Sequence, residues 1–167
     1  MHYVPDEDSN PYEQALYELK RVDHLIYVSL KYTRTVDVIK NIIARMIGTY
    51  DFIWDDFLNR LERERRIFEI PTSPGQKCNV LKKEFASDPK VVEFIEFYLL
   101  LRQFNNANYT ALKEFRRHVA MRALFPNGEY KELNIDIITD YYKQTKEFLD
   151  YVKLKYFSPE SAAQPAA

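Results

Sequence analysis

VDVIKNIIARMIGTYDFIWDDFLNRL, residues 36–61, sets Val36, Ile39, Ile43, Met46, Tyr50, Ile53, Phe57 and Leu61 three or four positions apart. That alternation draws one apolar stripe along a helix for more than three heptads. Thr35 is the expected N-cap, and Arg65 and Arg66 suit the negative C-terminal end. At 1.5 Å per residue the helix would reach about 45 Å, which is long for a monomeric domain of this size.

Working outward, the preceding helix begins after Ser9-Asn10-Pro11, where Asn10 caps and Pro11 fits the first turn. Ala15, Leu19, Val22, Ile26 and Leu30 then recur at helical spacing. Downstream, Ile70-Pro71-Thr72 breaks the pattern, and Ser73 with Gln76 forms a capping box for a short third helix ending near Ala86. Asp88-Pro89 opens a fourth helix, apolar nearly all round from Val91 to Leu100, as a buried helix would be. Residues 105–108 read as a loop, and residues 110–117 as a short helical stretch. Val119, Met121, Ala123 and Phe125 alternate, Pro126-Asn127-Gly128 supplies a turn, and residues 130–134 return, which predicts a small hairpin near 118–134. Asn134 is placed to cap the last helix, with its stripe Ile138, Tyr142, Thr145, Leu149, Val152 and Tyr156. The expected fold is mainly α: a bundle of about five to six helices with one small β-hairpin. Residues 11–157 form the single domain, between an acidic arm (1–10) and a Ser-, Pro- and Ala-rich tail (158–167) expected to be disordered.

With 167 residues, 46% of them apolar, the chain suits one globular domain and none of the collagen-like or disordered classes. The three glycines, Gly48, Gly75 and Gly128, stand far apart, so a Walker A loop, a dinucleotide fingerprint and a serine-hydrolase elbow have no basis. One cysteine, Cys78, excludes an intramolecular disulfide and a multi-cysteine zinc site, and reads as a buried, inert thiol. Neither a Glu-x-x-His pair nor a His-Glu-x-x-His motif accompanies the three histidines, so no metal ligand set, cofactor or catalytic residue is assigned. The acidic start, with Asp6, Glu7 and Asp8, is unlike a secretory or mitochondrial leader. The most apolar window, Val91 to Leu101, is too short and too charged to span a membrane. A cytoplasmic protein is expected.

Formal charge is -1, with 24 basic against 25 acidic residues, but that neutrality is an average. Residues 1–18 hold five acidic side chains and no Lys or Arg. Residues 113–122 hold Lys113, Arg116, Arg117 and Arg122 against Glu114, a local charge of +3, with His118 among them. Arginine offers a bidentate fork to phosphate, and an imidazole adds a further N–H, so this is the first anion or nucleic-acid candidate. A solvated edge paired with Glu129, Glu132, Asp136 and Asp140 is the first reading of the cluster, and anion binding the alternative to it. Lys31, Arg34 and Thr35, beside the start of the long helix, are a second anion candidate. Arg60, Arg63, Arg65 and Arg66 alternate with Glu62 and Glu64, as on a salt-bridged helix end. The thirteen tyrosines read as packing residues whose hydroxyls need partners, with Tyr109 and Tyr130 the two close enough in sequence to the basic cluster to stack on bases.

The run YEQALYELKR at residues 12–21, followed by the long Ile-, Tyr- and Phe-rich helix, resembles helical HEPN-type domains and uncharacterised archaeal helical proteins of that layout. The resemblance implies a dimeric helical module partnered with protein or RNA. HEPN ribonucleases separate their arginine and histidine, whereas Arg116, Arg117 and His118 are contiguous here, so no catalytic residue is carried over. Two functions follow as expectations. The first is a non-enzymatic interaction module that self-associates, as a dimer, through the long helix and the apolar fourth one. The alternative is a HEPN-like or winged-helix-like nucleic-acid or nucleotide binder using the basic cluster, with ribonuclease activity ranked last.

Overall fold

The computed structural model describes residues 8–158, so most of the acidic arm and nearly all of the tail lie outside the described residues. Within the described residues, five helices and a three-stranded antiparallel sheet pack around one core. Helix α1 runs over Pro11–His24, passes through a π-helical stretch at Leu25–Ser29, and ends with one turn at Leu30–Tyr32. Helix α2 spans Val36–Arg63, α3 Pro74–Glu84, α4 Pro89–Asn106 and α5 Ile135–Tyr156. Strands β1 (Asn108–Leu112), β2 (Ala120–Leu124) and β3 (Tyr130–Asn134) lie in that order, inserted between α4 and α5.

Four helix starts follow local chemistry. The Asn10 side chain accepts from the Tyr12 N–H at 2.8 Å, Ser73 from Gln76, Asp88 from Val91, and Asn134 from Ile137 at 2.9 Å. Helix α2 departs from the pattern, because Thr35 makes no side-chain cap bond. The acceptor there is Glu114, whose Oε1 lies 3.0 Å from the Val36 N–H across 78 residues of sequence. At its other end α2 closes with Arg65 in the left-handed region (φ 59°). The Arg66 and Arg65 N–H groups return to the carbonyls of Leu61 and Glu62, a Schellman arrangement.

Helix α2 is the axis of the core. The expected stripe is buried, and so are Ile42, Ile47, Trp54 and Leu58 on its other sides. Tyr50 stacks on Phe148 of α5 with ring centres 4.3 Å apart, and Phe57 stacks on Phe85 at 4.9 Å. In α4, Val91, Ile95, Tyr98, Leu101 and Phe104 are buried, while Phe94, Phe97, Leu99 and Leu100 are half-buried against the same core. One chain therefore buries the stripe of α2 and one face of α4, and half-covers the remaining apolar residues of α4.

Two corrections concern the region after α4. The helix continues through Asn106, and residues 110–117 are not helical: they supply β1 and the turn that follows it. Ala111, Leu112, Lys113 and Glu114 favour helix locally. Pairing of β1 with β2, from Asn108 opposite Leu124 to Leu112 opposite Ala120, overrides that preference. The hairpin is thus the second half of a three-stranded sheet. With no helix before it at 110–117, the helix-then-hairpin order that suggested a winged helix is not formed there. The predicted turn does form: Phe125 accepts from the Gly128 N–H, and Gly128 takes φ 86°, a value that favours glycine.

Candidate functional site

Where the end of α1, the α1–α2 loop, the β1–β2 connection, β3 and the start of α5 meet, they leave a cleft of about 580 Å³. Lys31 and Arg34 enter it from one side, and Lys113, Arg117 and His118 from the other. Two basic stretches some 80 residues apart in sequence thus line one concavity. Its remaining polar lining includes Glu132, Asn134, Asp136 and Thr139. With His118 neutral, four cationic side chains face two carboxylates, a net charge of +2.

Local geometry brings the halves together. Arg34 gives its carbonyl to the Phe115 N–H at 2.6 Å, and two residues further on Glu114 caps Val36. These two bonds hold the β1–β2 connection against the α1–α2 loop. They do so with Lys113 (φ 52°) and Phe115 (φ 64°) in the left-handed region, where a side chain other than glycine costs about 1–2 kcal/mol. On the opposite wall, the π-helical turn of α1 contributes Ile26 and Tyr27. Such turns insert one extra residue into a helix and recur at functional sites. Three departures from regular backbone thus surround one cleft.

The cations are available. Among the described residues, Lys31, Arg34, Lys113 and Arg117 form no ion pair, and the expected pairing with Glu129, Glu132, Asp136 and Asp140 does not occur. The Arg34 Nε is buried with no hydrogen-bond partner among the described residues, an arrangement that a bound acceptor would resolve. Aromatic side chains stand nearby: Tyr27 on the wall, Tyr32 (81% exposed) at the last position of α1, and Phe115 (76% exposed) on the strained loop.

The other sequence candidates divide. Thr35 does not line the cleft, and the α2 terminus beside it, offered as an anion site, is already occupied by Glu114. Arg116 is exposed on the same loop but outside the lining. Arg122 projects from the outer sheet face, its guanidinium carbon 4.2 Å from the centre of the Tyr130 ring. The basic end of α2 serves structure: Arg60 binds Asp56 at 2.7 Å and the Tyr156 carbonyl at 2.8 Å, and Arg66 binds Glu84 at 3.0 Å. Cys78 is buried, and burial pushes its thiol up to about 11, which leaves it protonated and unreactive.

Sequence reasoning missed a second polar centre. Asp88, 4% exposed, accepts from the Tyr151 hydroxyl at 2.8 Å, the Lys155 ammonium at 2.8 Å and the Tyr156 hydroxyl at 2.7 Å, besides capping α4. Burial pushes its pKa up, but the hydrogen bonds from Lys155, Tyr156, Tyr151 and Val91 outweigh this and hold the carboxyl below the ordinary range. All four donors are internal, so Asp88 ties α4 to the end of α5 and offers nothing to a ligand. The only sequence signal was Asp88-Pro89, which is equally well read as a cap alone. Other buried hydroxyls pair similarly: Tyr50 with Thr145, Tyr98 with Asp51 and Tyr142 with Asp23.

Among the described residues no group of three or more His, Cys, Asp or Glu side chains is arranged to hold a metal ion, and no helix is long and apolar enough to cross a membrane. Comparison with known protein families, curated proteins and solved structures gives no match.

Proposed function

We propose that the protein is a non-enzymatic binder of phosphate-bearing nucleotide ligands, which it holds in the cleft between the α1–α2 loop and the β1–β2 connection. One observation carries this reading: Lys31, Arg34, Lys113 and Arg117 converge there without ion-pair partners among the described residues. A cleft of this volume falls within the range of small-molecule sites, and arginine forks match phosphate oxygens bidentately. Glu114 supports the same reading, because it neutralises the α2 terminus from within the chain and leaves the neighbouring cations to face outward. Self-association has weaker support, since the chain itself buries the stripe of α2 and leaves the outer apolar residues of α4 half-covered.

Calorimetric titration with a nucleoside monophosphate and with a short oligonucleotide tests the proposal. The wild type should bind both, with affinity falling as salt rises. The double variant Arg34→Ala/Arg117→Ala should lose at least about tenfold, at 1.4 kcal/mol per decade and roughly 1.5–3 kcal/mol for each charged hydrogen bond. Arg63→Ala, on the exposed end of α2, should bind as the wild type does. Equal binding by the double variant, or no binding by the wild type, would refute the proposal.

A further inference from the structure

The cleft does not end at the strained loop. Its wall includes Ala120, Glu132 and Asn134, which lie on the outer face of the sheet, opposite the face that buries Met121, Ala123 and Leu133. Strand register orders that outer face into rows. Leu112, Ala120 and Asn134 form the row at the cleft, Thr110, Arg122 and Glu132 the next, and Asn108, Leu124 and Tyr130 the last. Side chains on one face of a strand repeat every two residues, about 6.8 Å, so the three rows extend roughly 14 Å from the cleft. Apart from the row at the cleft, every one of these side chains is exposed, including Leu124 and Tyr130 (57% exposed).

The chemistry changes along this surface. Four cations stand in the cleft, whereas the far rows present an aromatic ring with an arginine stacked upon it. Arg122 lies over Tyr130 and forms no ion pair with Glu132, its partner in register. Cations that track a backbone and lead to aromatic platforms are how proteins hold single-stranded nucleic acid, whose bases expose their faces. A duplex keeps those faces stacked inside and gains nothing from Tyr130. Glu132 and Asp136 add a further selection. Within a purely phosphate-binding site they would repel the ligand, but they accept hydrogen bonds from sugar hydroxyls, and ribose offers one more such donor than deoxyribose.

We propose that a single strand of nucleic acid, preferentially RNA, runs from the cleft across the outer face of β2 and β3, with a base stacked on Tyr130 and Arg122. The inference rests on the nucleotide-binding reading of the cleft and extends it to a named surface.

Fluorescence anisotropy with a dinucleotide and with an oligonucleotide of about ten nucleotides, within the span of known single-strand sites, separates the two claims. Tyr130→Ala should weaken the longer RNA by about tenfold, as the loss of one stacked base does, and leave the dinucleotide unchanged. Tyr130→Phe keeps the ring and should bind as the wild type. Arg34→Ala/Arg117→Ala should weaken both ligands. If that double variant loses binding while Tyr130→Ala and Arg122→Ala hold the longer RNA normally, the track is refuted and the cleft reading stands. If no variant affects either ligand, both fall. Equal affinity for a duplex overturns the single-strand claim, and equal affinity for DNA of the same sequence overturns the ribose preference.

Discussion

Removing the Glu114 carboxylate should weaken the longest helix of the protein from a distance of 78 residues, while removing the Thr35 hydroxyl beside that helix should do almost nothing. Glu114 Oε1 accepts from the Val36 N–H at 3.0 Å, whereas Thr35, at the cap position itself, makes no side-chain cap bond. Loss of a cap costs about 1 kcal/mol, within roughly 0.5–2 kcal/mol. Loss of a negative charge facing a helix N-terminus costs about 0.3–1 kcal/mol more. Glu114→Ala should therefore destabilise by about 1.5–2 kcal/mol. At about 2–4 °C per kcal/mol for a chain of this length, its thermal midpoint falls by about 3–8 °C. Glu114→Gln keeps an acceptor and loses only the charge, so about 0.3–1 kcal/mol is expected. Thr35→Ala should stay within about 0.5 kcal/mol, as for a surface substitution without a special role, because the Thr35 carbonyl still accepts from Ile39. Thermal and urea unfolding followed by circular dichroism measure all three, and hydrogen exchange at Val36 reports the bond directly. Should Thr35→Ala cost more than Glu114→Ala, the cap is local and the tie between the two cleft segments is wrong.

Further outcomes follow from two other hydrogen-bonded positions. Asp88→Asn replaces a buried carboxylate that takes four donors by a weaker acceptor. It should cost about 2–3 kcal/mol, or about 4–12 °C in thermal midpoint. Folding lowers the pKa of Asp88, so its contribution is complete above the ordinary carboxylate range and is lost as pH falls through the lowered value. The wild type should consequently lose stability more steeply than Asp88→Asn on acidification, and parallel acid limbs in urea titrations would count against the assignment. Arg65→Gly relieves a left-handed residue at the end of α2 and should stabilise by about 0.5–1 kcal/mol, read as a rise in the urea midpoint with unchanged slope. A fall in that midpoint would show that the Arg65 side chain matters more than its backbone.

Much of the fold is legible locally. The stripe from Val36 to Leu61 needs only helical periodicity, and the caps at Asn10, Ser73, Asp88 and Asn134 need only the residue types of one turn. The turn at Pro126-Asn127-Gly128 is similarly self-contained. Strand β1 is not. Its identity depends on the register of Thr110 with Arg122, while its own Ala111 and Leu112, and Lys113 and Glu114 just after it, favour helix. The site is legible only in halves. Residue type singles out Lys31 and Arg34, and separately Lys113, Arg117 and His118, but nothing within either stretch records that the two segments dock against each other. Glu132 and Asp136 read as the cluster's ion-pair partners, and in the folded chain they stand in the cleft without such a pairing.

The place where local rules fail and the place where the cations gather are the same. Residues 113–118 contradict their own helical preference, and Lys113 and Phe115 hold backbone angles that carry a cost. Natural chains keep such conflicts where surrounding structure imposes them, and functional sites are where they recur. Here the imposing contacts are the Arg34 carbonyl on Phe115 and the Val36 N–H on Glu114, both from the segment that carries the other half of the cleft. A chain that needed only a cap for α2 could have used Thr35, which is already in position. Using Glu114 instead fixes Lys113 and Arg117 opposite Lys31 and Arg34, so the strain of the loop and the gathering of the cations have one structural cause.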